Sequence, residues 1–282
     1  MPRGFNQQVI DEFRGNRGRV GGYFEGARLL LLTTTGARTG ARHTVALGYL
    51  PDGGERVLVI ASAGGSPRHP DWFRNVLADP RVHVEDGAFS YDAIAVVLEG
   101  AERDRAFARA VETDRGWLDY QEKAGRVLPV VALHPLPGPP GFPPGTSGGA
   151  ALTLVHDAFR RELALIRKEI AESGPGLAAQ LRANCLTVCA GLRNHHAGED
   201  LAMFPHLEHG HPEIAGTIAR LRTEHETIAA LVTELQAVIV DGADPQRVRA
   251  EVDRLTDDLE RHLAFEEEQL VPLLDAATPS PA

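Results

Sequence analysis

Histidines and glutamates in the second half of the chain recur at spacings that suit a metal site. The set has six members: His156, His195, His225, His262, Glu199 and Glu266. Each glutamate follows a histidine at position i+4, which places the two side chains on one face of a helix. Imidazole and carboxylate together form a ligand set that favours iron over manganese or zinc.

These histidines fall on the apolar faces of predicted helices. The periodicity predicts helices over residues 151–173, 176–208, 212–240 and 245–275. On each of them an imidazole interrupts the inward apolar stripe, as His225 does between Leu221 and Ile228. Four long helices with short connections predict an up-down four-helix bundle. Measured from the connecting turns, the four histidines differ in height by no more than about 5 Å, so they can share one layer.

A shared layer distinguishes two interpretations of the histidines. Four unconnected core histidines, each with its own hydrogen bond, would need neither a common level nor inward carboxylates. Buried carboxylates are costly unless they are paired or bound to a metal. A structural zinc ion would need only four ligands, so six candidate ligands predict two metal ions with bridging glutamates.

Residues 150–275 resemble the hemerythrin-like (HHE cation-binding) family. The resemblance rests on "HD" at 156, "HHAGEDLAMFP", "EHE" at 224–226 and "HLAFEEEQLVP". It implies a di-iron centre and assigns seven ligands: His156, His195, His196, Glu199, His225, His262 and Glu266. Ala229 stands where the respiratory hemerythrins have a further histidine, which argues against simple O2 storage. Asp200 and Glu267 are either additional ligands or a solvated flank.

A glycine-rich turn in the first half carries basic and hydroxyl side chains. It follows a predicted apolar strand and contains Arg38, Thr39 and Arg42. Converging backbone N–H groups and arginine charge suit a phosphate, although a plain basic hairpin is the alternative.

A second stretch of small residues leaves another predicted strand. It consists of Ser62, Ala63, Gly64 and Gly65, and a helix is predicted to begin near Trp72. Small residues allow close approach of a planar cofactor or its phosphate. Short apolar or alternating runs predict five strands, within residues 27–36, 43–54, 55–65, 81–87 and 89–99, and helices are predicted at 71–80 and 104–125. Closely spaced strands with few helices predict a small β-barrel rather than a doubly wound sheet.

Residues 5–136 resemble the deazaflavin-dependent nitroreductase family of split β-barrels, an FMN-binding-like fold. The resemblance rests on "TTTGARTG", "ASAGG", "HPDWFRNVLADPRV" and "DYQEKAGRVLPVVAL". It implies that coenzyme F420 binds here, with a flavin such as FMN, or haem, as the alternative occupant. The basic turn with Arg38, Thr39 and Arg42 would hold the acidic tail. The stretch from Ser62 to Gly65 and Trp72 would line the ring and phosphate, although Trp72 could instead be a packing residue. Tyr120 is the candidate catalytic phenol, or a core residue.

Charge and composition divide the chain. Residues 1–136 carry 17 Lys+Arg and 17 Asp+Glu, which leaves 29 − 17 = 12 and 39 − 17 = 22 for the remainder. The absence of a basic stripe argues against nucleic acid, and no apolar run is long enough to predict a transmembrane helix.

A Pro/Gly-rich linker at 137–149 separates predicted domains at 1–136 and 150–282, giving an α+β two-domain protein.

These features predict an F420H2-dependent oxidoreductase fused to a di-iron bundle. Its electron acceptor would be a small molecule (a quinone, nitro compound or enone) or O2, and the deazaflavin would pass electrons to the iron. The alternative is a module that senses O2, NO or iron, with a non-catalytic barrel. We expect a cytoplasmic location, since both cysteines are predicted to be reduced core residues, and a homodimer.

Overall fold

A computed structural model describes residues 3–138, 140–173, 177–240 and 244–277. Two compact units account for them: residues 1–143 with 178–180, and residues 144–177 with 181–282. Pro139 of the predicted linker and the predicted turns at 174–176 and 241–243 lie outside the described residues. No described helix has both the length and the hydropathy needed to cross a membrane.

The first unit is a closed antiparallel barrel with the strand order β1-β2-β3-β6-β5-β4. Its strands are β1 (Leu29–Thr35), β2 (Arg42–Pro51), β3 (Val57–Ile60), β4 (Arg81–Glu85), β5 (Ser90–Val97) and β6 (Val130–Pro135). Side chains alternate along each strand, so Leu30 and Leu32 pack inside the barrel while Leu29 and Leu31 pack outside. The predicted small barrel is confirmed.

Four α-helices accompany the strands in the described part of the first unit. They are α1 (Arg3–Gly15), α2 (Asp71–Ala78), α3 (Gly100–Thr113) and α4 (Gly116–Ala124). The apolar face of α1 packs against the outward leucines of β1 through Val9, Ile10 and Phe13. Neither α1 nor β6 is among the elements predicted above. Strand β6 pairs with both β3 and β5, so it closes the barrel.

The second unit is helical, as predicted. Its helices are α5 (Gly148–Glu172), α6 (Ala179–Gly198), α7 (Phe204–Gly210), α8 (Ala215–Val240) and α9 (Pro245–Ala277). The second predicted helix is interrupted by a π turn over Glu199–Met203. Pro205 explains the interruption, since it lacks an N–H and its ring would clash with the carbonyl of Leu201 in a regular helix.

Helix α5 begins inside the predicted linker. Ser147 caps it by accepting a hydrogen bond from the N–H of Ala150. A Cβ on Gly149 would lie 2.7 Å from the side chain of Val271 in α9, so glycine permits this close helix contact. Earlier in the linker, Gly141 pairs with Ser90. The linker therefore leaves fewer free residues than its composition suggests.

Candidate functional site

Seven polar side chains form one buried layer in the helical unit. They are His156 on α5, His195 and His196 on α6, Glu199 on the π turn, His225 on α8, and His262 and Glu266 on α9. All but His195 are buried, and the side chain of His195 is only 11% exposed. The structure thus brings together every residue that the sequence predicts as a metal ligand.

The layer contains two groups of candidate ligand atoms. His156, His195, Glu199 and Glu266 form the first group, and the atoms that could bind a metal all lie within 4.8 Å of one another. The same limit holds for the second group, which consists of three histidines: His196, His225 and His262. Each group could hold one ion.

The two glutamates extend from one group to the other. The carboxylate oxygens of Glu199 lie 3.1 Å from His195 Nε2 and 3.5 Å from His225 Nε2. An oxygen of Glu266 lies 3.4 Å from His156 Nε2 and 3.6 Å from His262 Nε2. Each carboxylate therefore contacts one histidine of each group, the position of a bridging ligand.

The atoms that face the centre lack hydrogen-bond partners. In the described part of the chain, the five histidine Nε2 atoms and all four oxygens of the two glutamates are buried without one. The ion-pair contacts above have short distances but not hydrogen-bond geometry. An unsatisfied buried polar group costs about 1–3 kcal/mol. Nine such atoms around one centre fit two metal ions, which would satisfy all of them.

Burial also sets the protonation of the layer. Burial, followed by the charge of Glu266, raises the pKa of Glu199 to about 10. Burial, followed by the charge of nearby histidines, lowers the pKa values of His195, His196 and His225. Burial thus favours the neutral imidazole, the form that binds metals, at these three positions. The pKa of His156 is raised instead, since the effect of burial is outweighed by its contacts with Glu266 and Glu267.

Carboxylates also contact the opposite edge of three of the imidazoles. Nδ1 lies 2.8 Å from Glu267 Oε1 in His156, 3.1 Å from Asp200 Oδ1 in His225, and 3.0 Å from Glu224 Oε2 in His262. Asp200 and Glu267 thus contact the Nδ1 edges of His225 and His156, away from the Nε2 atoms of the layer. Sequence reasoning missed Glu224. It lies next to His225 in the sequence but contacts His262 of another helix.

The π turn fixes which side chains enter the layer. Residues five apart in a regular α-helix point about 140° away from each other, yet Glu199 and Phe204 are both buried. The wider turn brings both to the inner face. The ring of His225 stacks between Phe204, at 5.4 Å and 18°, and His196, at 4.1 Å and 9°.

In the barrel unit, the basic turn joins β1 and β2. Arg38, Thr39 and Arg42 are exposed there. Asn75 of α2 holds the turn, since its Oδ1 accepts from the N–H of Ala37 at 3.0 Å and its Nδ2 donates to Thr34 Oγ1 at 3.0 Å. The turn is thus fixed while its cations and hydroxyl face solvent.

The stretch of small residues forms a tight turn after β3. Ser62 has right-handed helical backbone angles, whereas Ala63, Gly64 and Gly65 have φ values of 49°, 62° and 77°. A right-handed residue followed by a left-handed one makes successive N–H groups converge, a geometry that binds anions. The N–H of Ser62 donates to the carbonyl of Ile60 and that of Gly65 to the carbonyl of Ser62, so the N–H groups of Ala63 and Gly64 are the ones that could meet an anion. Positive φ is unfavourable for alanine, so strain at Ala63 is stored at this turn.

Two cations hold this turn from the other side. Lys123 Nζ donates to the carbonyl of Gly64 at 3.4 Å. Arg126 donates to the carbonyls of Ala61, Ser66 and Arg68 at 3.0–3.3 Å. Its Nη1 atom is buried with no partner among the described residues. Sequence reasoning missed Arg126, since it lies 60 or so positions from the turn and carries no local signal.

The remaining predicted site residues lie elsewhere. Trp72 is 7% exposed and packs in the apolar core of the barrel, the alternative that its helix spacing left open. Tyr120 is half-buried, its hydroxyl forms a hydrogen bond with Tyr23, and its ring lies 6.2 Å from that of Trp117. Its catalytic role stays a prediction.

Each half of the chain matches the model of a known family. Residues 6–135 match the model for F420H(2)-dependent quinone reductases, and residues 147–274 match the hemerythrin HHE cation binding domain. An F420H(2)-dependent quinone reductase of Mycobacterium tuberculosis (strain ATCC 25618 / H37Rv) is 35% identical over 125 residues, covering 43% of this chain and 83% of the relative.

Two solved structures are similar to the quinone reductase half of the chain. An F420-H2 dependent reductase (FDR-A) is 38% identical, with a TM-score of 0.35, over 38% of this chain and 94% of the other. A protein solved as a domain-swapped dimer is 35% identical, with a TM-score of 0.37, over 45% of this chain and 93% of the other.

Proposed function

Since this chain belongs to the F420H(2)-dependent quinone reductase family through residues 6–135, we propose that its barrel passes a hydride from reduced F420 to a quinone-type acceptor. The chain is an F420-dependent oxidoreductase with a hemerythrin domain. The family and the relatives name F420, and the alternative of FMN has no support from them. The proposal concerns the acceptor, the residues that bind F420 and the metal content of the bundle.

The turn after β3 is the main support for the proposed cofactor site. The turn at Ser62–Gly65 combines converging N–H groups, strain at Ala63 and a buried, unpartnered Arg126 Nη1. Strain of this kind is retained where function uses it. The turn fits a phosphate or a planar ring, and reduced F420 supplies a hydride when it is bound. Lys123 binds the carbonyl of Gly64 and Arg126 binds carbonyls on both sides of the turn, which would leave the N–H groups of Ala63 and Gly64 for the ligand.

Changing Arg126 to lysine is expected to weaken F420 binding by about tenfold. Arg126 reaches the three carbonyls from two nitrogens of its planar guanidinium, whereas lysine carries its three donors on a single nitrogen and cannot span the same acceptors. A tenfold change corresponds to about 1.4 kcal/mol, within the range for hydrogen bonds of charged groups. Fluorescence titration with F420 measures the change. Arg14→Lys is the matched control, since it loosens the paired contact with Glu85 elsewhere in the same unit. Equal Kd values for Arg126→Lys and wild type would remove Arg126 from the site.

The exposed turn at Arg38–Arg42 supports a second, electrostatic contact. The deazaflavin tail is anionic, so Arg38→Ala combined with Arg42→Ala should raise the Kd for F420. The effect should shrink at high salt, since exposed charges are screened. Titrations at low and high ionic strength measure both, with the exposed Arg105→Ala as the control. An unchanged salt dependence would show that the tail lies elsewhere.

For the bundle we propose two iron ions. The support is the nine unpartnered ligand atoms, the two groups of ligands and the two carboxylates that each contact both groups and could hold both ions. His196 gives the second group a third histidine, which compensates for Ala229 at the place where respiratory hemerythrins have one. Elemental analysis of the purified chain tests the metal and its amount.

The presence of a hydride-donor fold and a metal layer in one chain favours a further hypothesis. In it, electrons from reduced F420 reach the bundle, which then reduces O2 or peroxide. Oxygen consumption with reduced F420 as the only donor tests this, by comparing wild type with His262→Ala. Equal rates in the two proteins would mean that the bundle takes no part in the reaction.

A further inference from the structure

Two ligand histidines are each held by a carboxylate that is itself held by an arginine. Glu267 Oε1 lies 2.8 Å from His156 Nδ1 and 2.8 Å from Arg160 Nη1. On α8, Glu224 lies 3.0 Å from His262 Nδ1 and 2.8 Å from Arg220 Nε. Both series of contacts therefore have the same order, from an arginine to a glutamate to a histidine.

The two series of contacts end at histidines of different ligand groups. His156 belongs to the group with His195, whereas His262 belongs to the group with His196 and His225. Each candidate metal position therefore has an arginine-anchored carboxylate of its own. Both glutamates are half-buried, so their hydrogen bonds are only partly exposed to competition from water.

We propose that Glu267 and Glu224 are positioning residues, each of which controls metal loading of one of the two positions. The inference rests on the proposed two-metal function of the bundle. A carboxylate that accepts a hydrogen bond from Nδ1–H leaves Nε2 unprotonated. The same bond fixes the ring, so that the Nε2 lone pair faces the centre. Loss of such an outer partner lowers metal affinity by about 10–100-fold.

The surroundings of Arg160 provide a matched control. Arg160 contacts Glu260 at 2.9 Å as well as Glu267, and both glutamates lie on α9. Glu267→Ala and Glu260→Ala each remove one partner of Arg160, but only the first removes the partner of His156. On α8, Glu234 pairs with Arg254 at 2.8 Å and is the control for Glu224.

The experiment is an anaerobic titration of the full chain with Fe2+ against a competing chelator. Glu267→Ala and Glu224→Ala should each keep one tight ion and bind the other about 10–100-fold more weakly. The controls Glu260→Ala and Glu234→Ala should bind two ions as wild type does. Glu267→Gln and Glu224→Gln should recover most of the loss, since an amide oxygen can accept from Nδ1–H.

A second substitution identifies which position is emptied. His195→Ala removes a ligand of the first position, so His195→Ala with Glu267→Ala should keep one tight ion. His195→Ala with Glu224→Ala should keep none. Two tight ions in both Glu→Ala variants would overturn the inference while leaving the two-metal proposal intact. A wild-type chain that binds no Fe2+ would overturn both.

Discussion

Glu266→Ala is expected to empty both metal positions of the bundle, whereas His195→Ala should empty one. The carboxylate of Glu266 contacts His156 in one group and His262 in the other, and it is fully buried. A water molecule in the space that the substitution leaves would offer a neutral oxygen instead of a charged carboxylate that contacts both groups. We expect the iron content of Glu266→Ala to fall at least about tenfold, and that of His195→Ala to fall by about half.

Elemental analysis of freshly purified protein gives the iron content per chain. Glu268→Ala is the control, since Glu268 lies two positions further along α9 and is exposed. It should retain the iron content of wild type. Wild-type iron in both Glu266→Ala and His195→Ala would show that the metal, if bound, is held elsewhere.

The ligand layer could be predicted from sequence because a helix has a fixed period. Each histidine occupies a place in an apolar stripe, and the bundle turns set its height, so spacing alone brings His156, His195, His225 and His262 together. His196 was assigned only from family resemblance. Spacing offered no reason for both His195 and His196 to face inward.

The carboxylates behind the ligands could not be predicted in the same way. Asp200 follows Glu199 directly, and its contact with His225 depends on the π turn at Glu199–Met203. Glu224 contacts a histidine of another helix, 38 positions away. Such contacts depend on side-chain rotamers across a helix interface, which periodicity does not specify.

In the barrel, apolar runs between glycines were enough to predict five of the strands. Strand β6 was missed, although its pairing on both sides closes the barrel. The sequence left the role of Trp72 open. An aromatic residue in the first turn of an amphipathic helix gives the same pattern whether its side chain contacts a ligand or packs in the core. Arg126 was missed because its contacts with the 61–68 loop are distant in sequence.

Glu199→Gln is expected to stabilise the metal-free chain and to destabilise the metal-loaded one. In the metal-free state, burial and then Glu266 raise the pKa of Glu199 to about 10, from its ordinary value of 4.5. The native state therefore binds this proton more tightly than the unfolded state does. As pH rises above 4.5, the unfolded state loses its proton first, and the free energy of unfolding falls by up to about 1.4 kcal/mol per pH unit.

Glutamine cannot ionise, so it removes this dependence. Metal-free Glu199→Gln and wild type should unfold alike near pH 5, and the variant should become the more stable of the two by pH 8. With metal bound the order reverses, since glutamine replaces a bridging carboxylate by a neutral amide that binds metal more weakly. Denaturant unfolding followed by the helical circular dichroism signal, with and without metal at both pH values, measures all four differences. A wild type that is more stable than the variant at pH 8 without metal would mean that the charged carboxylate is stabilised by the protein alone, and the case for a metal centre built on buried, unpartnered ligands would fail with it.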